Sequence, residues 1–197
     1  MTADVLADQT RVANESRQGS GGLIGDPALF GLWLFLGTVS MLVIGFTSAY
    51  LLRRASSDWL ALRPPGILWL NTLVLASSSV CLELARRHLR RGESGGVRTW
   101  LAVTGLTGAL FVAGQFVAWR LLTERGFFLA SNPHNSFFYV LTGLHVVHLV
   151  SGLVWFTVVL SRAGSLQPGG NGLRLFATYW HFLGGLWIYL LILLFAL

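Results

Sequence analysis

The sequence has no lysine, a single cysteine and only eight acidic residues, and each scarcity excludes something. One thiol cannot close an internal disulfide, and Cys81 sits in an apolar run, where it reads as a small buried hydrophobe. The acids, Asp4, Asp8, Glu15, Asp26, Asp58, Glu83, Glu93 and Glu124, all fall in tails, loops or segment ends. None is left for mid-membrane depth, where ion-coupled transporters need a group that changes charge. Nor are there interrupted segments repeated in two halves, the other transporter signature. With lysine absent, all 14 basic residues are arginine, and they lie between apolar runs. That placement argues against nucleic acid as a partner and for a use in membrane topology.

What is present is apolar surface. Hydrophobic residues make up 54% of the 197, charged ones 11%, and mean hydropathy is +0.64, well beyond a soluble domain of this size. Five apolar segments predict helices over about 27–52, 67–88, 97–122, 135–161 and 173–197. The expected fold class is therefore all-α, an integral membrane bundle of five transmembrane helices occupying 27–197. Residues 1–26 are polar and end in a Gly-Ser-Gly-Gly patch at Gly19–Gly22. Without a basic start and a short apolar core they read as a flexible polar tail retained in the mature chain. Asp26-Pro27 has the form of an N-cap followed by proline in the first turn. Near the second segment's end, Glu83 is spaced to pair with Arg86 and Arg87, and Arg120 in the third is placed to snorkel outward. With five crossings, Arg11, Arg17, Arg86, Arg87, Arg90, Arg91, Arg98, Arg162 and Arg174 share one side, against Arg53, Arg54, Arg63, Arg120 and Arg125. The excess of arginine predicts a cytoplasmic amino terminus and tail, with the carboxyl terminus outside.

The fourth segment organises the rest. Phe137 to Leu160 carries no charged residue but holds His145 and His148. At helical spacing Leu141, His145, His148 and Gly152 form one stripe, so both imidazoles should face protein, and the glycine should admit another backbone. Of the five histidines, His145, His148 and His181 have the depth for a haem or copper ligand. A pair three residues apart on one helix is not the usual source of two axial ligands, and interhelical hydrogen bonding is the stronger reading. A membrane b-type cytochrome remains the alternative. Gln115, Thr104, Thr107, Asn71 and Ser77–Ser79 suit the same polar packing. Trp59, Trp69, Trp100 and Trp119 suit an interfacial belt.

The run Phe137-Phe-Tyr-Val-Leu-Thr-Gly-Leu-His-Val-Val-His-Leu-Val-Ser-Gly resembles the signature helix of subunit III of the haem-copper terminal oxidases. Tyr179-Trp180-His181-Phe182 leading to Trp187 resembles that family's closing helix. Trp33-Leu34-Phe35 through Gly45 and Ser48-Ala49-Tyr50 is similar to its Trp-Leu-Phe helix, and Leu68-Trp69-Leu70-Asn71-Thr72 with Ser77-Ser78 to the bacterial form of the next. Gln115 and Asn132-Pro133-His134 also match. The similarity runs in order from about Pro27 to Leu197. Two positions depart from it, since Val39 and Gly184 stand where many relatives carry acids, and the roles of those acids do not transfer.

The resemblance implies a five-helix form of subunit III, lacking a leading pair of helices, in a bacterial inner membrane. It implies an accessory subunit of an oxidoreductase complex, cytochrome c oxidase, without catalytic, cofactor or metal residues of its own. Haem and copper would lie in partner subunits, and the partners would be subunits I and II and bound phospholipid. The subunit would stabilise the catalytic one and support proton uptake and oxygen access. His145, His148, His181, Trp180, Gln115 and Asn71 would then be structural, and Arg53, Arg54, Arg86, Arg87, Trp59 and Trp69 would be placed for lipid headgroups. A quinol oxidase subunit III and a protein associated with nitric oxide reductase are the neighbouring alternatives.

Overall fold

In hydrocarbon a backbone must satisfy its own polar groups, and helices do so within one segment. The computed structural model describes residues 27–57, 59, 65–163 and 171–196, which hold five helices and no strand. They are α1 Pro27–Arg54, α2 Ile67–Arg90, α3 Ser94–Glu124, α4 Pro133–Ser161 and α5 Asn171–Phe195. All five are long and apolar enough to cross a membrane. Even α2, the shortest at 24 residues, reaches about 36 Å at 1.5 Å per residue, against a hydrocarbon layer of about 30 Å. The 1–26 tail, the Asp26 cap, Asp58, Arg63, Pro64 and Leu197 lie outside the described residues.

The helices begin and end beyond most of the predicted bounds. Polar residues outside the hydrocarbon layer remain helical until something stops them, and here the stops are identifiable. α2 runs on to Arg90 and closes with Glu93 N–H donating to the His88 carbonyl at 3.1 Å and Gly92 N–H to Leu89 at 3.1 Å. This six-to-one and five-to-two pair is a Schellman closure, and Gly92 supplies its left-handed residue at φ +74°. α3 ends the same way, through Phe127 to Leu122, Gly126 to Thr123 and Gly126 at φ +81°. α4 starts two residues before its expected position because Asn132 caps it, its side chain accepting from Asn135 N–H at 3.1 Å with Pro133 in the first turn.

The chain divides into two compact units, residues up to Ser40 and residues from Met41 onward. In the first, the described part is one stretch of α1, where the Thr38 and Ser40 hydroxyls donate to the carbonyls of Leu34 and Leu36. In the second, α2 to α5 form a ring in which α2 packs on α3, α3 on α4, α4 on α5 and α5 back on α2. The three-residue turn between α2 and α3 makes them antiparallel neighbours.

The inward faces repeat every three and four residues. On α3 they are Val97, Leu101, Thr104, Gly108, Phe111, Gln115, Ala118 and Leu122. On α2 they are Leu68, Asn71, Leu75, Ser78, Leu82 and Ala85. On α5, Leu173, Phe176, Trp180, Leu183, Trp187, Leu190 and Leu194 keep the same rhythm. A 3.5-residue repeat is the period of helices packed side by side in left-handed bundles.

Candidate functional site

The second unit's interior contains a repeated polar device. An indole N–H only donates, whereas a hydroxyl both accepts and donates. Trp180 Nε1 on α5 donates to Ser78 Oγ on α2 at 3.1 Å, and Ser78 donates onward to the Thr104 carbonyl on α3 at 3.1 Å. Trp187 Nε1 donates to Thr72 Oγ1 at 3.0 Å, and Thr72 to Leu68 O of its own helix. Trp119 Nε1 on α3 donates to Thr142 Oγ1 on α4 at 3.1 Å, and Thr142 to Phe138 O. Each indole therefore spends its one proton on a neighbouring helix, and each hydroxyl spends its own on a carbonyl.

Tyrosines and a histidine add further ties. Tyr179 OH donates to the His148 carbonyl at 2.7 Å and lies 3.1 Å from Ser151 Oγ, joining α5 to α4. Thr47 Oγ1 and Tyr189 OH are 2.8 Å apart. His134 Nε2 lies 3.1 Å from the Leu194 carbonyl, and its ring packs with Tyr50, Trp59 and Phe195. Tyr179, Thr142 and Thr72 had no separate role in the sequence reading. Their signal was available, since a buried hydroxyl facing another helix in an apolar surround needs a partner.

The predicted residues divide. Trp180, Asn71, Gln115 and His145 are all buried. Trp180 bonds across helices, whereas His145 differs from the expectation of an interhelical hydrogen bond. Its ring packs against Phe111 and Trp187, with centroids 5.8 and 5.2 Å away, and neither nitrogen has a hydrogen-bond partner among the described residues. The two imidazoles on the α4 stripe also part company. His145 turns into the core, while the half-buried His148 places Nδ1 2.7 Å from the Leu144 carbonyl of its own helix. His181 is exposed, lining a groove of about 250 Å³ between α2 and α5 with Ser79 and Gly184. Among the described residues no group of three or more His, Cys, Asp or Glu is placed to hold a metal ion.

At the membrane edges, Arg53, Arg54 and Arg87 are exposed, and Trp69 is 60% exposed. Arg86 pairs with Glu83 at 2.7 Å. Trp59 is half-buried against Tyr50 and Phe137. Trp119 is half-buried and joins α3 to α4 through its bond to Thr142. Cys81 is half-buried. The described acids are Glu83, Glu93 and Glu124, near the ends of helices or in the α2–α3 turn.

Fold and interior together define a polytopic α-helical membrane protein whose neutral buried side chains tie helix to helix. The chain belongs to the cytochrome c oxidase subunit III family: the sequence model described as "Cytochrome c oxidase subunit III" matches residues 55–197. It is 34% identical to cytochrome c oxidase subunit 3 of Synechocystis over 87% of this chain and 76% of that protein. It is 31% identical to the protein of that name in Corynebacterium diphtheriae, over 82% and 84%. For the Bacillus subtilis protein the identity is 29%, over 85% of each.

Proposed function

We propose that this chain is an integral, non-catalytic subunit III of a cytochrome c oxidase in a bacterial cytoplasmic membrane. It packs beside the subunit that holds haem and copper, with subunit II in the same complex. The observation that carries the reading is the family match over residues 55–197, on a bundle whose described interior is built from neutral groups joining helices. The names of the relatives favour cytochrome c over quinol as the electron donor of that complex. Phospholipid fits the apolar outer faces, with Arg53, Arg54 and Arg87 placed for headgroup phosphates and Trp69 for the headgroup layer. Through those lipids the subunit supports proton uptake and oxygen access in its neighbour. The amino terminus is cytoplasmic.

The test is purification through a tag on this chain. The expected result is co-purification of a haem- and copper-bearing subunit, with no haem absorbance in the separated chain. In the assembled complex His145→Ala and His148→Ala are expected to leave the haem spectrum unchanged. Stoichiometric haem in the isolated chain, or a spectral shift with assembly intact, overturns the reading.

A further inference from the structure

Gln115 and His145 are fully buried, at 0% and 1% exposure, and all four of their side-chain polar atoms lack a hydrogen-bond partner among the described residues. Their neighbours place them together. One turn before Gln115 on α3, Phe111 meets the His145 ring. One turn after it, Trp119 bonds to Thr142, which lies a turn before His145 on α4. Gln115 is thus bracketed by two side chains that touch the same stretch of α4, and residues four apart share a helix face. Asn71 of α2 enters at this level, its amide lying against α3 where a Cβ on Gly114 would collide with it, and its Nδ2 also lacks a partner. From α5, Trp187 packs on His145 and bonds to Thr72, beside Asn71.

The chemistry restricts what such a layer takes. No Asp, Glu, Lys or Arg lies within one helical turn of Asn71, Gln115, His145 or Trp187, so an ion would go uncompensated. An apolar guest would leave every orphaned atom as it was. The ligand must be neutral and able to donate and accept at once. Buried water has those properties and typically makes two to four such bonds.

We propose that Gln115 and His145, joined by Asn71, form a water-binding site inside the bundle, where the bound water links α3 to α4 and reaches α2. This rests on the packing of α2 to α5 and not on the oxidase reading. The test is a density map, fine enough to show ordered water, of the full chain purified with the subunits that accompany it. A peak is expected about 2.7–3.2 Å from a His145 ring nitrogen and from the Gln115 amide. The same peak should vanish in Gln115→Met with the His145 ring unmoved. A dry layer, a Gln115 amide bonded directly to His145, or a peak that survives Gln115→Met overturns the proposal. Should that variant not assemble, solid-state NMR of 15N-histidine protein decides, since transfer of magnetisation from water to the His145 ring is expected and its absence is contrary.

Discussion

Ser78 sits between three helices with a single oxygen, accepting from Trp180 and donating to the Thr104 carbonyl. Removing that oxygen leaves a buried indole N–H without its acceptor. Ser78→Ala is therefore expected to lower stability by about 1–2 kcal/mol, toward the upper end for interhelical hydrogen bonds in membranes. Thermal unfolding of the purified complex checks this, and an unchanged midpoint would show that Trp180 finds another acceptor. At the same scale the sequence could nominate Trp180, Asn71, Gln115 and His145 as inward polar residues. It could not pair them. Whether an imidazole meets a hydroxyl, its own helix's carbonyl or an aromatic face depends on side chains from other helices, and His145 and His148 went different ways from one stripe.

Elements were the most legible level. Apolar runs bounded by arginines, glycines and prolines located all five helices, because hydrophobic length is the quantity a bilayer selects. The ends were less legible, since caps rather than hydropathy set them. The cap at Asn132-Pro133 and the closures at Gly92 and Gly126 emerged only with the structure, and the sequence placed the start of α4 two residues late. Packing between elements adds a prediction at Gly152, buried where α4 meets α5. A Cβ there would lie 2.8 Å from Tyr179 Cε1, and larger side chains must push the ring whose hydroxyl holds the His148 carbonyl. Gly152→Leu is expected to cost about 1–3 kcal/mol, the usual range for overpacking. Yield of assembled complex measures it, with Gly143→Leu, where an added Cβ meets nothing within 4 Å, as the comparison that should stay near wild type.

For the whole molecule, the arginine bias is the one feature that speaks to orientation. The α2–α3 turn and the helix end before it carry Arg86, Arg87, Arg90 and Arg91, and short basic loops stay on the cytoplasmic side. Alkaline phosphatase fused at that turn is expected to be inactive, and the same reporter at the carboxyl terminus active. The reverse pattern would invert the proposed topology and move the Arg53-Arg54 end of α1 to the cytoplasm.

The sequence by itself determined that the chain crosses a membrane, roughly where, and to which family its motifs belong. Backbone satisfaction in hydrocarbon leaves few alternatives to a long apolar helix, and motif residues are read one at a time. Beyond the α4 stripe and single polar residues on α2, α3 and α5, the inward faces were decided only by the tertiary structure. Lipid tails are as apolar as leucine, so a membrane helix lacks the polar face that betrays orientation in water. The choice falls instead to indole–hydroxyl pairs, tight glycine contacts and the 3.5-residue packing rhythm, and these exist only once neighbouring helices have come together.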